Sequence, residues 1–171
     1  MVKKNSKPLV SIIMGSDSDL PVMKKAMDML DKLNIAYETK VSSAHRALDK
    51  TLEYAKSLSQ RGIKIVIAGA GGAAHLPGVI AAAVGLPVLG VPLASSPLKG
   101  IDALLSIAQM PSGVPVGCMG IGESGAANAA ILAARILANE DGNIKKILEK
   151  FQKELSDRVV EKDKKLRGNR K

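Results

Sequence analysis

A doubly wound α/β fold is what this sequence predicts: three layers, αβα, with a central five-stranded parallel sheet in the order 2-1-3-4-5 and an added C-terminal helix. Three observations predict it. Short Val/Ile/Leu-rich runs alternate with helical patterns from end to end, as βα units joined by right-handed crossovers do. No linker, internal repeat or low-complexity segment interrupts that alternation. Serine- and glycine-rich turns follow the apolar runs, at the sheet edge where doubly wound folds bind ligands.

"PLVSIIMG" reads as a first, buried strand, and "DLPVMKKAMDMLDKLN" as a helix with Asp19 as its N-cap and Pro21 in its first turn. "IAYETKVSS" is a second strand, and "ALDKTLEYAKSLSQRG" a helix closed by Gly62. "IKIVIAGAGG" is a third strand running into glycines, followed by the short alanine-rich helix "AAHLPGVIAAAVG". "LPVLGVPL" is a fourth strand; after a loop comes the helix "GIDALLSIAQM". "VPVGCMGI" reads as a fifth strand and "ESGAANAAILAARILANED" as a long helix of small residues. In the tail, Ile144, Ile147, Leu148, Phe151, Leu155 and Val159 recur at helical spacing, an amphipathic helix with a solvated basic face. The expected division is an α/β domain over residues 1–142 and a basic helix over 143–171, packed on the same domain or on a neighbouring subunit.

With 171 residues the chain is long enough for one real core. That core is aliphatic, because aromatics make up only 2% and there is no Trp. The net charge of +9 is concentrated in the tail: residues 143–171 carry +6 of it. Such a tail could meet a phosphate-rich partner, but the scarcity of aromatics removes the usual stacking platform for single strands, so no nucleic-acid role is expected. The single cysteine, Cys118, cannot form an internal disulfide and reads as a small buried thiol. The basic start "MVKKNSKP" precedes an apolar run too short for a signal peptide, and no segment reads as a membrane span. The expectation is a soluble, cytoplasmic protein.

Three stretches fall directly after strands. "GSDSD", Gly15 to Asp19, offers amides at a helix start and the hydroxyls of Ser16 and Ser18, suited to an anion or to simple capping. It lacks the G-K-[ST] of a Walker A loop, and Asp19 is better aimed at sugar hydroxyls. In the run Ala68–Leu76, seven of nine residues are Gly or Ala. A tight turn explains part of that, and a flat ligand lying on bare backbone explains the rest. "SSAHR", Ser42 to Arg46, brings His45 and Arg46 to the same edge. Imidazole gives and takes protons near neutrality, and guanidinium anchors a phosphate or carboxylate. An acid/base group beside an anion anchor is what proton chemistry on a phosphorylated ligand needs. His75, at the start of an apolar helix, could fix a loop or touch substrate; two histidines alone do not make a metal site.

Taken together and in order, "GSDSD", "VSSAHR", "AGAGGAAHLPG", "LPVLGVP", "QMPSGVPVG" and "GAANAAILAARIL" closely resemble the catalytic subunit of class I phosphoribosylaminoimidazole carboxylase, the N5-carboxyaminoimidazole ribonucleotide mutase (PurE) family, over Val10 to Asn139. The resemblance implies an isomerase of purine synthesis working without metal, biotin, ATP or other cofactor. His45 would be the catalytic acid/base. Ser16, Ser43 and Arg46 would bind the ribotide phosphate and Asp19 the ribose. The backbone of Ala70, Gly71 and Gly72 would hold the migrating carboxylate, with Ser18, His75 and Leu76 completing the substrate site. It also implies a homo-octamer with sites between subunits, and coupling to an ATP-dependent carboxylase that makes the carbamate substrate. A related class that carboxylates the aminoimidazole directly usually carries "SAHK" and an "AGRSN"-like loop; "SAHR" and "AGAGG" here side with the mutase. One departure is visible, Ala47-Leu48 where the family commonly has Thr-Pro. The alternatives are direct carboxylation or a non-catalytic flavodoxin-like nucleotide-binding module.

Overall fold

The computed structural model describes residues 7–168. The basic start at residues 1–6 and the last three residues of the expected tail helix lie outside them. Five parallel strands form one sheet in the order β2-β1-β3-β4-β5. They are β1 Val10–Met14, β2 Tyr37–Val41, β3 Ile65–Gly71, β4 Val88–Leu93 and β5 Gly117–Cys118. The helices between and after them are α1 Leu20–Lys32, α2 Leu48–Ser57, α3 Leu76–Ala83, α4 Ile101–Ala108, α5 Glu123–Leu137 and α6 Gly142–Gly168.

The layering follows from the two-residue period of the strands. Ile12 and Met14, Ile65 and Ile67, and Leu89 and Val91 face α1, α5 and the start of α6. Ile13, Val66, Ala68 and Val88 face α2, α3 and α4. In α5 the stripe Ala126, Ala129, Ala130, Ala133 and Ala134 is fully buried, so short side chains let this helix lie close against the sheet and α1. Gly125 sets the approach at its start: an added Cβ would lie 2.5 Å from the carbonyl carbon of Gly120.

Helix ends follow local chemistry. Asp19 precedes α1 in sequence but does not cap it. Its carboxylate instead accepts the Ser16 amide at 3.0 Å, half of a capping box on the 3₁₀ turn Asp17–Asp19. After α2 the chain tightens into a Schellman turn, with Ile63 N–H bonded to Leu58 O and Gly62 N–H to Ser59 O, both at 3.1 Å. Gly62 supplies the left-handed residue at φ +89°. Asn34, at φ +57°, does the same after α1.

The fifth strand is shorter than its sequence suggests. Only Gly117 and Cys118 pair with β4, since Pro115 has no N–H to give and the chain turns away after Met119. This also accommodates Pro92 within β4. Gly90, two residues earlier and so on the same side, offers its carbonyl to Met119. The missing N–H of Pro92 therefore faces the side on which pairing has already ended.

The tail helix divides into two parts. Ile144, Leu148 and Phe151 join the core beside α1 and α5, and Lys32 lies over the Phe151 ring. Beyond them Leu155, Val159, Val160 and Leu166 are exposed. Among the described residues no helix is long and apolar enough to cross a membrane.

Candidate active site

Strand order reverses between β1 and β3, so the loops leaving these strands part and open a crevice at the carboxyl edge of the sheet. A cleft of ≈ 310 Å³ lies there. Ser16, Ser18 and Asp19 reach it from the turn after β1, and Ser43, His45 and Arg46 from the loop after β2. Ala70 and Gly71 come from the end of β3, and His75 and Leu76 from the start of α3. Gly72 is not among its lining residues. It sits at φ +61°, and what it contributes is the turn that carries the chain from β3 toward His75.

In the first turn, the Ser18 amide donates to Ser16 Oγ at 3.3 Å, and the Ser18 hydroxyl donates to the same oxygen at 2.9 Å. Asp17 Oδ1 accepts the Ser16 hydroxyl at 3.1 Å and the Ser18 amide at 3.0 Å. Burial pushes the Asp19 carboxyl above the usual carboxylate range, against the pull of the Ser16 and Gly15 amides. Its neighbour Asp17 adds to the rise.

The histidine loop is held from beneath by Thr51, which is fully buried in α2. Its hydroxyl donates to Ala47 O at 2.9 Å and shares a 2.7 Å bond with Ser42 Oγ. Ala47 has no side chain able to cap α2, so this internal hydroxyl pair fixes the junction between loop and helix. Above it the Arg46 amide and Nε point to Ser43 Oγ at 3.3 and 3.4 Å, leaving the guanidinium's terminal N–H groups free for an anion.

His45 Nε2 lies 2.7 Å from His75 Nδ1, with the rings edge-on at 82°. One of these nitrogens must donate and the other accept, so the contact holds one proton between two imidazoles. Both rings line the cleft together with Ala70 and Gly71. Among the described residues no three His, Cys, Asp or Glu side chains converge.

Sequence reasoning missed Ser95, which enters the same cleft from the loop after β4. A side chain at Gly71 would run into Ser95, with its Cβ 2.9 Å from Ser95 Cβ. The glycine is therefore what lets a fourth strand end bring a hydroxyl to the site. The available signal was positional, a serine just after a strand, but the "ASSP" stretch carries no motif of its own. Cys118 lies away from the cleft, partly buried, and burial raises its thiol pKa.

The profile of the family described as AIR carboxylase matches residues 9–158. The N5-carboxyaminoimidazole ribonucleotide mutase of Vibrio parahaemolyticus is 58% identical over 88% of this chain and 94% of its own length. The mutase of Pyrococcus horikoshii is 53% identical over 95% of this chain and 91% of its own. Among solved structures, that of Treponema denticola PurE superposes with a TM-score of 0.83 at 29% identity, covering 93% of this chain and 98% of that one.

Proposed function

The chain belongs to the AIR carboxylase family, and from that premise we infer that it is an N5-carboxyaminoimidazole ribonucleotide mutase of purine biosynthesis, an isomerase. The observation that carries the reading is that His45, its partner His75 and Arg46 line one cleft with Ala70, Gly71 and the "GSDSD" turn.

The substrate carries a carboxylate on the exocyclic nitrogen of an aminoimidazole ribotide. Protonated His45 gives its proton to that nitrogen, the N–C bond breaks, and CO2 leaves with its bonding electrons returned to nitrogen. The freed aminoimidazole is enamine-like, and its C4 attacks the retained CO2 to form the new C–C bond. Neutral His45 then removes the C4 proton and the ring regains aromaticity. Acid and base are the same imidazole, so no net proton is exchanged. His75 orients that ring and offers a lone pair or an N–H as its proton comes and goes.

Catalysis here is largely positional, because CO2 held beside its nucleophile reacts as an intramolecular partner. The Ala70 and Gly71 amides and the Ser95 hydroxyl receive the carboxylate, Leu76 gives the floor an apolar patch, and Ser18 braces Ser16. Ser16, Ser43 and Arg46 bind the 5′-phosphate, and Asp19 takes the ribose hydroxyls. Exposed Leu98, Ile101 and Leu105 at and before α4, with Leu155, Val159 and Val160 on the tail, support association of subunits, which we read as a homo-octamer. We place an ATP-dependent carboxylase upstream as the source of the carbamate, and a cytoplasmic setting suits that coupling.

The test supplies the purified protein with the N-carboxylated ribotide, or with the plain ribotide and bicarbonate, without ATP or metal. Conversion of the carbamate alone, abolished in His45→Asn, is the expected result. Efficient turnover of the plain ribotide would move the protein to the direct carboxylases. No turnover of either by folded protein would overturn the enzymatic reading.

A further inference from the structure

Beside the cleft lies a second cavity of ≈ 350 Å³, sharing with it Ser16, Ser43 and Arg46. Its remaining wall brings Lys40 from the end of β2 and Lys50 from the first turn of α2 to the same space as Arg46. Among the described residues none of these three cations lies within ion-pair distance of a carboxylate, and Lys40 Nζ rests over the Tyr54 ring, 5.6 Å from its centroid. The one acidic residue on the wall, Asp17, already accepts the Ser16 hydroxyl and the Ser18 amide with its Oδ1. With Asp17 counted, the wall still carries a net charge of +2 (three cations less one carboxylate), and an anion placed among the cations offsets their mutual repulsion.

A monophosphate seated on Arg46, Ser16 and Ser43 occupies the wall common to both cavities and leaves Lys40 and Lys50 with no anion to face. We propose that the second cavity is a subsite for a further phosphoryl group, so that the protein binds diphosphates, with one phosphate on the shared wall and the next between Lys40 and Lys50. The inference rests on the reading of the shared wall as the ribotide phosphate site. The ligand class is a diphosphate, either the free inorganic ion or the diphosphate of a nucleotide, and it would compete with the substrate. Arginine grips through its planar fork, while the two lysines act as mobile point charges that suit a terminal phosphate of variable position.

Calorimetric titration of the full-length protein with inorganic phosphate, inorganic diphosphate, AMP and ADP, all without divalent metal, tests this directly. Inorganic diphosphate is expected to bind roughly tenfold more tightly than phosphate at low ionic strength, a gain that shrinks as salt rises. ADP exceeding AMP by a similar factor would assign the site to a nucleotide diphosphate; a gain confined to the inorganic ions would assign it to free diphosphate. The double variant Lys40→Met/Lys50→Met is expected to lose the gain while keeping its affinity for phosphate and its turnover. Equal binding of phosphate and diphosphate, or a gain that survives the double substitution, would overturn the proposal. Because the readout is binding, a protein that fails the turnover test can still pass this one, and a normal mutase can fail it.

Discussion

Gly71→Ala tests whether the cleft is built on a glycine that admits Ser95. Gly71 is paired with Leu93 at the end of β3, and its φ is not in the left-handed region, so a methyl group is not excluded by backbone strain. It is excluded by space. The new Cβ would stand 2.9 Å from Ser95 Cβ and 3.1 Å from Leu93 O, and nearer still to Ser95 Oγ. The exposed serine can rotate its hydroxyl away, but its Cβ and the Leu93 carbonyl are tied to backbone. Overpacking of this kind costs about 1–3 kcal/mol, roughly 5- to 150-fold in the unfolding equilibrium. For a chain of this size that lowers Tm by about 2–12 °C. Urea unfolding would read the loss as a lower midpoint at unchanged slope. Adding Ser95→Gly removes both serine contacts and leaves only the 3.1 Å approach to Leu93 O, so most of the stability should return. Turnover should not return, because the hydroxyl is gone and the methyl still occupies the cleft floor. A Gly71→Ala protein as stable as the parent, or one that Ser95→Gly does not rescue, would refute the packing argument.

Four further outcomes follow from the same structure. Thr51→Val leaves the buried Ser42 hydroxyl without its partner and should cost about 1–3 kcal/mol, lowering kcat more than it raises KM, while Thr51→Ser keeps both properties. Burial raises the Asp19 pKa in the fold, so the native state binds this proton more tightly than the unfolded chain. The resulting stability is full below the unfolded value of 3.8 and is lost as pH rises through the folded value; Asp19→Asn should flatten that fall in a series of urea titrations across the acidic range. The Cys118 thiol, raised by burial, should alkylate with iodoacetamide more slowly in the folded protein than in denaturant at pH 8, and equal rates would count against its placement. Phe151→Ala, removing a ring that is 6% exposed, should destabilise the whole protein by about 3 kcal/mol in a single transition.

Much of this protein is local information. Element order, the parallel sheet and the three strand-end loops follow from where β-branched runs stop and small polar residues begin, and each of those patterns spans fewer than about ten residues. That the loop "SSAHR" brings an imidazole and a guanidinium to the cleft was legible for the same reason, because the two are adjacent in the chain. What tertiary structure alone decided depends on register between distant segments. His45 meets His75 across thirty residues only because β1 and β3 pair as neighbours and Gly72 turns the chain after β3. Ser95 reaches the site only because β3 and β4 align Gly71 with Leu93. The loss of most of β5 follows from Pro115 meeting an edge where nothing replaces its missing N–H, and the division of α6 into a packed and an exposed half follows from where the surface of α1 and α5 ends. Periodicity shows which face of an element is apolar; what that face touches is set by packing, which no local pattern contains.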